Sequence, residues 1–316
     1  MPAFSGRAPG KSILFGEHAV VYGRPALAVP VNQVQARVSV FADPLGPAGR
    51  ILIDAPEIGL QSELSALPET NPLRLLVTAC LVEMGIPRLP AVKIRINSSI
   101  PVAAGLGSGA AVSVAALRAL SSFLGHPLAD ERVNDLAFQV EKAYHGTPSG
   151  IDNTVITYGR PLFFERGQPY ELLRVARPFT LVIADSGISS PTSAAVGGLR
   201  ARWQADPARY EAIFDQAGAL ARLARQVIED GIPQQLGPLI DQNQALLCEM
   251  DVSCPELDNL VAAARAAGAW GAKLSGAGKG GNMIALAPPE GAVEIAEALR
   301  AAGAVRTIIT KVETAG

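Results

Sequence analysis

The sequence predicts an α+β chain made of two halves. Stretches such as "ARVSVFA" (36–42) and "AVKIRIN" (91–97) alternate with the two-residue period of half-buried strands. Others, such as 130–145 and 207–230, repeat apolar residues every three to four positions, as amphipathic helices do. At 316 residues the chain is long for one hydrophobic core and comfortable for two.

The elements follow in order. In "ADERVNDLAFQVEKAYHG", Asp130 is placed to cap a helix, Val133, Leu136, Ala137 and Val140 form its apolar stripe, and Gly146 follows its end. "FTLVIADSG" reads as a buried strand stopped by a glycine. Helical patterns then cover Pro207 to Asp230 and Pro233 to Met250. The tail reads as helix 257–267, strand 272–275, a glycine loop, strand 282–287, helix 290–302 and strand 304–311. The change of texture near residue 176, followed by Arg177-Pro178, marks the expected boundary between halves at 1–176 and 177–316.

Composition excludes several classes of function. A net charge of −2 argues against nucleic acid or an anionic membrane as main partner. Cys80, Cys248 and Cys254 have neither metal-site nor disulfide spacing, which fits a reducing, cytoplasmic setting. The N-terminus lacks the apolar core of a signal peptide. Ile96 to Leu117 carries no charge, but Pro101 and its glycines break it, so it is not read as a membrane span.

"PVAAGLGSGAAVSVAALRAL" (101–120) follows a strand and enters an alanine-rich helix. Gly105, Gly107 and Gly109 are expected just before the helix N-terminus, where free amides and the helix dipole favour an anion. Glycine lets the backbone close on phosphate oxygens, and Ser108 adds a hydroxyl. The plain alternative is a close-packed turn. The stretch matches neither the Walker pattern nor the dinucleotide fingerprint.

Three further motifs add charge. "APGKSILFGEHAVVYG" (8–23) holds Lys11, Glu17 and His18, each of which taken alone reads as a solvated lysine or a satisfied core residue. "EKAYHGTPSGIDN" (141–153) places Glu141 late in a helix and Asp152 in a Pro/Gly turn, where a plain turn former is the alternative. "KLSGAGKGGNMIAL" (273–286) is a second glycine-rich connection between strands.

Taken together, these segments resemble the GHMP kinase superfamily. Three motifs stand in the family's order, the central one being "PVAAGLGSGAA", and the resemblance covers nearly the whole chain. Within the superfamily, "GEHAVVYG", "HGTPSGIDN" and "DSGISSPTSAAV" are most similar to the mevalonate kinases. The resemblance implies an N-terminal ATP-binding domain (1–176) with a left-handed βαβ unit, a ferredoxin-like C-terminal domain (177–316), and an active site between them. The activity it implies is ATP- and Mg²⁺-dependent phosphorylation of the C5 hydroxyl of mevalonate, an early step of isoprenoid biosynthesis, with a homodimer as a further expectation.

By the same resemblance Asp152 accepts the hydroxyl proton, and Lys11 keeps it ionised and stabilises incoming negative charge. Pro101, Ala104, Gly105, Leu106, Gly107, Ser108, Gly109 and Ala110 line ATP. Glu17, His18, Ser149, Thr192, Gly276 and Ala277 line mevalonate, and Glu141 holds Mg²⁺. Two residues depart from the pattern. Gly109 stands where the family has the serine that reaches magnesium, so Ser108 or a water takes that place. Lys279 stands where many relatives have glycine, and three readings are open for it: a phosphate contact, a substrate-carboxylate contact, or solvent. Competing functions are another kinase or a decarboxylase of the superfamily, and a non-catalytic sensor that binds ATP and metabolite.

Overall fold

The computed structural model describes residues 3–101, 105–145, 148–189 and 192–314. They form two compact units, each assembled from more than one stretch of chain. One takes residues 1–10, 34–101 and 107–159; the other takes 11–33, 102–106 and 160–316. Two long strands, β1 (Phe4–Phe15) and β2 (Ala26–Ala42), carry the chain from one unit to the other.

In the first unit the second half of β2 pairs antiparallel with β5 (Val92–Ser98), from Ala36 opposite Ser98 to Ala42 opposite Val92. Beside β5 lies β3 (Ile51–Ala55) in parallel, and β4 (Leu60–Glu63) pairs antiparallel with β3. Helix α1 (Pro72–Glu83) connects the parallel pair, which makes a βαβ crossover. Asn71 caps α1 by accepting from the Leu73 amide at 2.9 Å. Helices α2 (Ser108–Phe123), α3 (Asp130–His145) and α4 (Ile151–Tyr158) pack on one another. The predicted stripe of α3, Val133, Leu136, Ala137 and Val140, is buried. Asp130 opens α3, and its carboxylate accepts from Arg118 of α2 at 2.7 Å.

In the second unit the first half of β2 pairs with β6 (Leu162–Phe164), which pairs with β7 (Glu171–Leu172). The rest is built on β8 (Phe179–Asp185), followed by α5 (Thr192–Ala205), α6 (Pro207–Asp230), α7 (Leu236–Glu249) and α8 (Pro255–Ala266). Then come β9 (Gly271–Ser275), β10 (Asn282–Ala287), α9 (Ala292–Ala301) and β11 (Arg306–Val312). The sheet order is β11-β8-β10-β9, with every neighbour antiparallel. This is the ferredoxin-like order that the family resemblance implied. Strands β8 and β10 read as unbroken apolar runs because side chains on both their faces are buried. The helix expected over 233–250 begins as a 3₁₀ turn at Pro233–Gln235 before α7.

Strand β9 lies at a sheet edge, and α7 covers that edge chemically. The Ala272 amide donates to Asp241 Oδ1 at 3.0 Å, and the Leu274 amide donates to Gln244 Oε1 at 2.8 Å. Edge amides that would otherwise recruit another strand are thus satisfied from one helix face.

Candidate active site

In the second unit the first and third motifs meet. Side chains alternate along β9, so Ala272 and Leu274 face one way, and Lys273 and Ser275 the other. Ser275 Oγ donates to Ile13 O at 3.0 Å, and its oxygen lies 3.0 Å from Ser12 Oγ. Lys273 Nζ donates to Glu17 Oε1 and, at 2.9 Å, to Leu274 O. Lys11 is buried beside them, its amide donating to Leu106 O at 3.0 Å. The chain after His18 is anchored on α6. Tyr22 stacks on Phe214 with centroids 4.2 Å apart, and Arg24 Nη2 reaches Asp215 Oδ1 at 2.9 Å.

The electrostatics follow from burial. Loss of water pushes the Glu17 carboxyl above its ordinary value, against the pull of Lys273 and, more weakly, of Lys11. Burial pushes the Lys273 ammonium down, and Glu17 opposes that. His18 is pushed down to about 4, first by burial, so its ring is neutral near neutral pH. Its Nε2 lies 3.0 Å from Ala277 O. A carbonyl oxygen only accepts, so the neutral ring carries its proton on Nε2 and presents Nδ1 as an acceptor. His18 has φ 61, an uncommon backbone for a non-glycine residue and one that concentrates at functional sites.

The first unit places the other motif residues. Gly107 caps α2 with φ 75, and Ala111 N donates to Gly107 O at 2.9 Å as the first helical bond. The amides of Ser108, Gly109 and Ala110 therefore have no acceptor within the helix. Ser108 and Gly109 were expected before the helix but lie in its first turn. A Cβ at Gly109 would meet nothing within 4 Å, and its φ is not positive, so neither backbone nor space demands glycine there.

Glu141 lies on α3 and Asp152 in the first turn of α4, both half-buried. Ser149 Oγ accepts from Ile151 N at 3.4 Å at the start of α4. Asn153 Nδ2 donates to Asn134 Oδ1 at 2.7 Å, tying α4 to α3. Arg118 donates to Thr157 O at 2.6 Å and to Arg7 O at 2.9 Å, as well as to Asp130.

Of the residues read from the sequence, Lys11, Glu17, His18, Gly276 and Ala277 lie in one unit and Gly107, Ser108, Gly109, Ala110, Glu141, Ser149 and Asp152 in the other. Sequence reasoning missed Lys273, Arg118 and the Asn134–Asn153 bond. The signal for Lys273 was present: a lysine inside the apolar strand "GAKLS" needs a partner once buried. Of the three readings open for Lys279, the solvent one fits its exposed side chain. Its Nζ donates to Asp251 Oδ1 at 2.8 Å and its amide to Val252 O at 2.7 Å. Ala104 and the side chain of Thr192 lie outside the described residues.

Comparison with known proteins gives this arrangement its class. The GHMP kinases N terminal domain matches residues 74–160, and the GHMP kinases C terminal domain matches 219–305. The chain belongs to the GHMP kinase family. Within it, the chain is similar to several mevalonate kinases. The chain is 38% identical to the mevalonate kinase of Thermococcus sibiricus, over 98% of this chain and 96% of that protein. It is 35% identical to that of Pyrococcus furiosus, over the same shares. The crystal structure of L. major mevalonate kinase in complex with R-mevalonate matches with a TM-score of 0.84 at 29% identity, over 100% of this chain and 97% of that one.

Proposed function

We infer that the protein transfers the γ-phosphoryl group of ATP to the C5 hydroxyl of mevalonate. The observation that carries this is the match to mevalonate kinases along nearly the whole of both chains. The second unit adds chemical support. A buried polar cluster of Lys11, Glu17, His18 and Lys273, in which Lys273 pairs with Glu17, is expensive to build and suits a grip on a small polar molecule.

Each residue's role is part of the proposal. Asp152 accepts the hydroxyl proton late in transfer, once the alcohol has become acidic. Lys11 supplies positive charge for the incoming phosphoryl group. The α2 amides, with Pro101, Ala104, Gly105, Leu106, Gly107, Ser108, Gly109 and Ala110, hold the phosphates of ATP. Glu17, His18, Ser149, Thr192 and Gly276 line mevalonate. His18 offers Nδ1 to a substrate hydroxyl, and Ala277 serves by holding its Nε2.

Mg²⁺ fits the donor set, since Glu141 and Ser108 offer hard oxygens and leave positions for water and phosphate. Among the described residues no group of three or more His, Cys, Asp or Glu side chains is placed to hold a metal ion. Held by Glu141 and Ser108, the ion would neutralise charge on the phosphates. No helix among the described residues is long and apolar enough to cross a membrane. We further place the enzyme in the cytoplasm, as a homodimer, with 1–176 and 177–316 as its N- and C-terminal domains.

The test is a coupled ADP-release assay with mevalonate, phosphomevalonate and galactose. Turnover with mevalonate alone is expected, and a preference for either other alcohol or acid would replace this reading. Asp152→Asn should lower kcat by roughly 10²–10⁴ while ATP affinity holds. A variant with near wild-type kcat removes Asp152 from the role of base.

A further inference from the structure

Lys273 has no solvent exposure, and neither the motifs nor the reaction has given it a task. A lysine sealed in a strand is costly unless its ammonium is paired and hydrogen-bonded, and this one has Glu17 Oε1 and Leu274 O. Its place is fixed from behind, because Asp241 and Gln244 of α7 hold the amides of Ala272 and Leu274 on either side of it. The partner is equally confined. Glu17 is 3% exposed, with one carboxylate oxygen committed to Lys273. The other, Oε2, is buried and accepts no hydrogen bond from the described residues. A buried carboxylate oxygen left without a donor is destabilising, so its retention calls for a use.

The surrounding charges single out Lys273. The charged groups acting on Glu17 are Lys273 from β9 and Lys11 from β1, and Lys273 has the larger effect. His18, next in the chain, is neutral, and Arg202 of α5 acts on His18. Without Lys273, Glu17 would lose the larger of the two charges that oppose the upward push of burial on its carboxyl.

We propose that Lys273 is a positioning residue for the alcohol substrate: it fixes the rotamer and charge of Glu17, leaving Oε2 to accept a hydrogen bond from a substrate hydroxyl. The proposal rests on the mevalonate kinase reading and adds to it a residue that touches no reacting atom.

The test measures KM for mevalonate, KM for ATP and kcat from about pH 6.5 to about pH 9.5 in wild type, Lys273→Met, Glu17→Gln and the double variant. Wild-type KM for mevalonate should be flat. In Lys273→Met it should rise about tenfold or more near pH 7, then recover as rising pH ionises Glu17, while KM for ATP stays within about twofold. Glu17→Gln should raise it with no recovery, and the double variant should equal Glu17→Gln, since Lys273 acts only through Glu17. An unchanged KM in Lys273→Met, a rise without pH recovery, or a double variant about tenfold worse than Glu17→Gln overturns the proposal. Where Lys273→Met fails to fold, the double variant, which strands no lone charge, decides by the same comparison with Glu17→Gln. Absence of wild-type turnover with mevalonate is a separate result: it overturns the functional reading and this inference with it.

Discussion

The chain has two glycine-rich loops, and they use glycine for opposite ends. Around Gly107 the glycines leave space. Gly107 turns the chain with φ 75 into α2, and a Cβ on Gly109 would touch nothing. Between β9 and β10, Gly278 and Gly280, unlike the open Gly276, let the protein close on itself. A Cβ on Gly278 would stand 1.9 Å from Val252 O, and one on Gly280 2.5 Å from Ile188 O. That loop is pinned by hydrogen bonds from Lys279 N to Val252 O at 2.7 Å and from Gly281 N to Ile188 O at 2.9 Å. Open glycine beside amides that have no acceptor within the helix suits a ligand, whereas crowded glycine builds a wall that holds other residues in place. Here the wall carries Ala277 O to His18.

The contrast is broken most directly at Gly278. Valine there would meet a backbone oxygen that cannot swing away and would sit at φ +76, which β-branched residues avoid. Gly278→Val should lose on the order of 2–5 kcal/mol, from overpacking and backbone strain together. Denaturant melts check this, and a loss under about 0.5 kcal/mol would mean the loop is not crowded.

Much of this was legible beforehand where local chemistry decides structure. Pro207 and Gly231 bracket α6, whose observed limits are those read from the sequence. Strand β10 and the stripe of α3 follow from apolar content and period alone. What escaped depends on partners far along the chain. Lys273 meets Glu17 across 256 positions, and Arg118 joins Arg7, Asp130 and Thr157. No window of sequence holds both ends of such contacts. The start of α2 was missed for another reason: Gly109 weakens helix propensity but is carried by the apolar packing of the alanines behind it.

The open loop gives a smaller effect on stability and a sharper one on metal dependence. Gly109→Ser should change stability by about 0.5 kcal/mol or less, because the site is spacious and its φ ordinary. If Ser108 supplies the magnesium oxygen, Ser108→Ala should raise the Mg²⁺ concentration needed for half-maximal rate, and Gly109→Ser should lower it or leave it alone. A Mg²⁺ titration at saturating ATP decides. Unchanged dependence in Ser108→Ala would leave Glu141 and water as the protein-side ligands.

The smallest change is expected at Lys279, a lysine set among the glycines of the β9–β10 loop. Lys279 and Asp251 both have φ 55, and their side chains pair at 2.8 Å, drawing the Asp251 carboxyl below its ordinary value. A left-handed backbone costs a non-glycine residue about 1–2 kcal/mol. The pair is solvent-exposed, so it returns about 0–1 kcal/mol. Lys279→Gly removes strain and pair together and adds about 0.5–1 kcal/mol of chain entropy to the unfolded state, so its net effect should lie near zero. Lys279→Ala keeps the strain and loses the pair, and should be less stable than Lys279→Gly by roughly 1 kcal/mol. KM for ATP and mevalonate should stay within about twofold in both, because the ammonium is spent on Asp251. Alanine and glycine of equal stability would show that the left-handed backbone carries no strain, and a large rise in KM for ATP would return Lys279 to the phosphates.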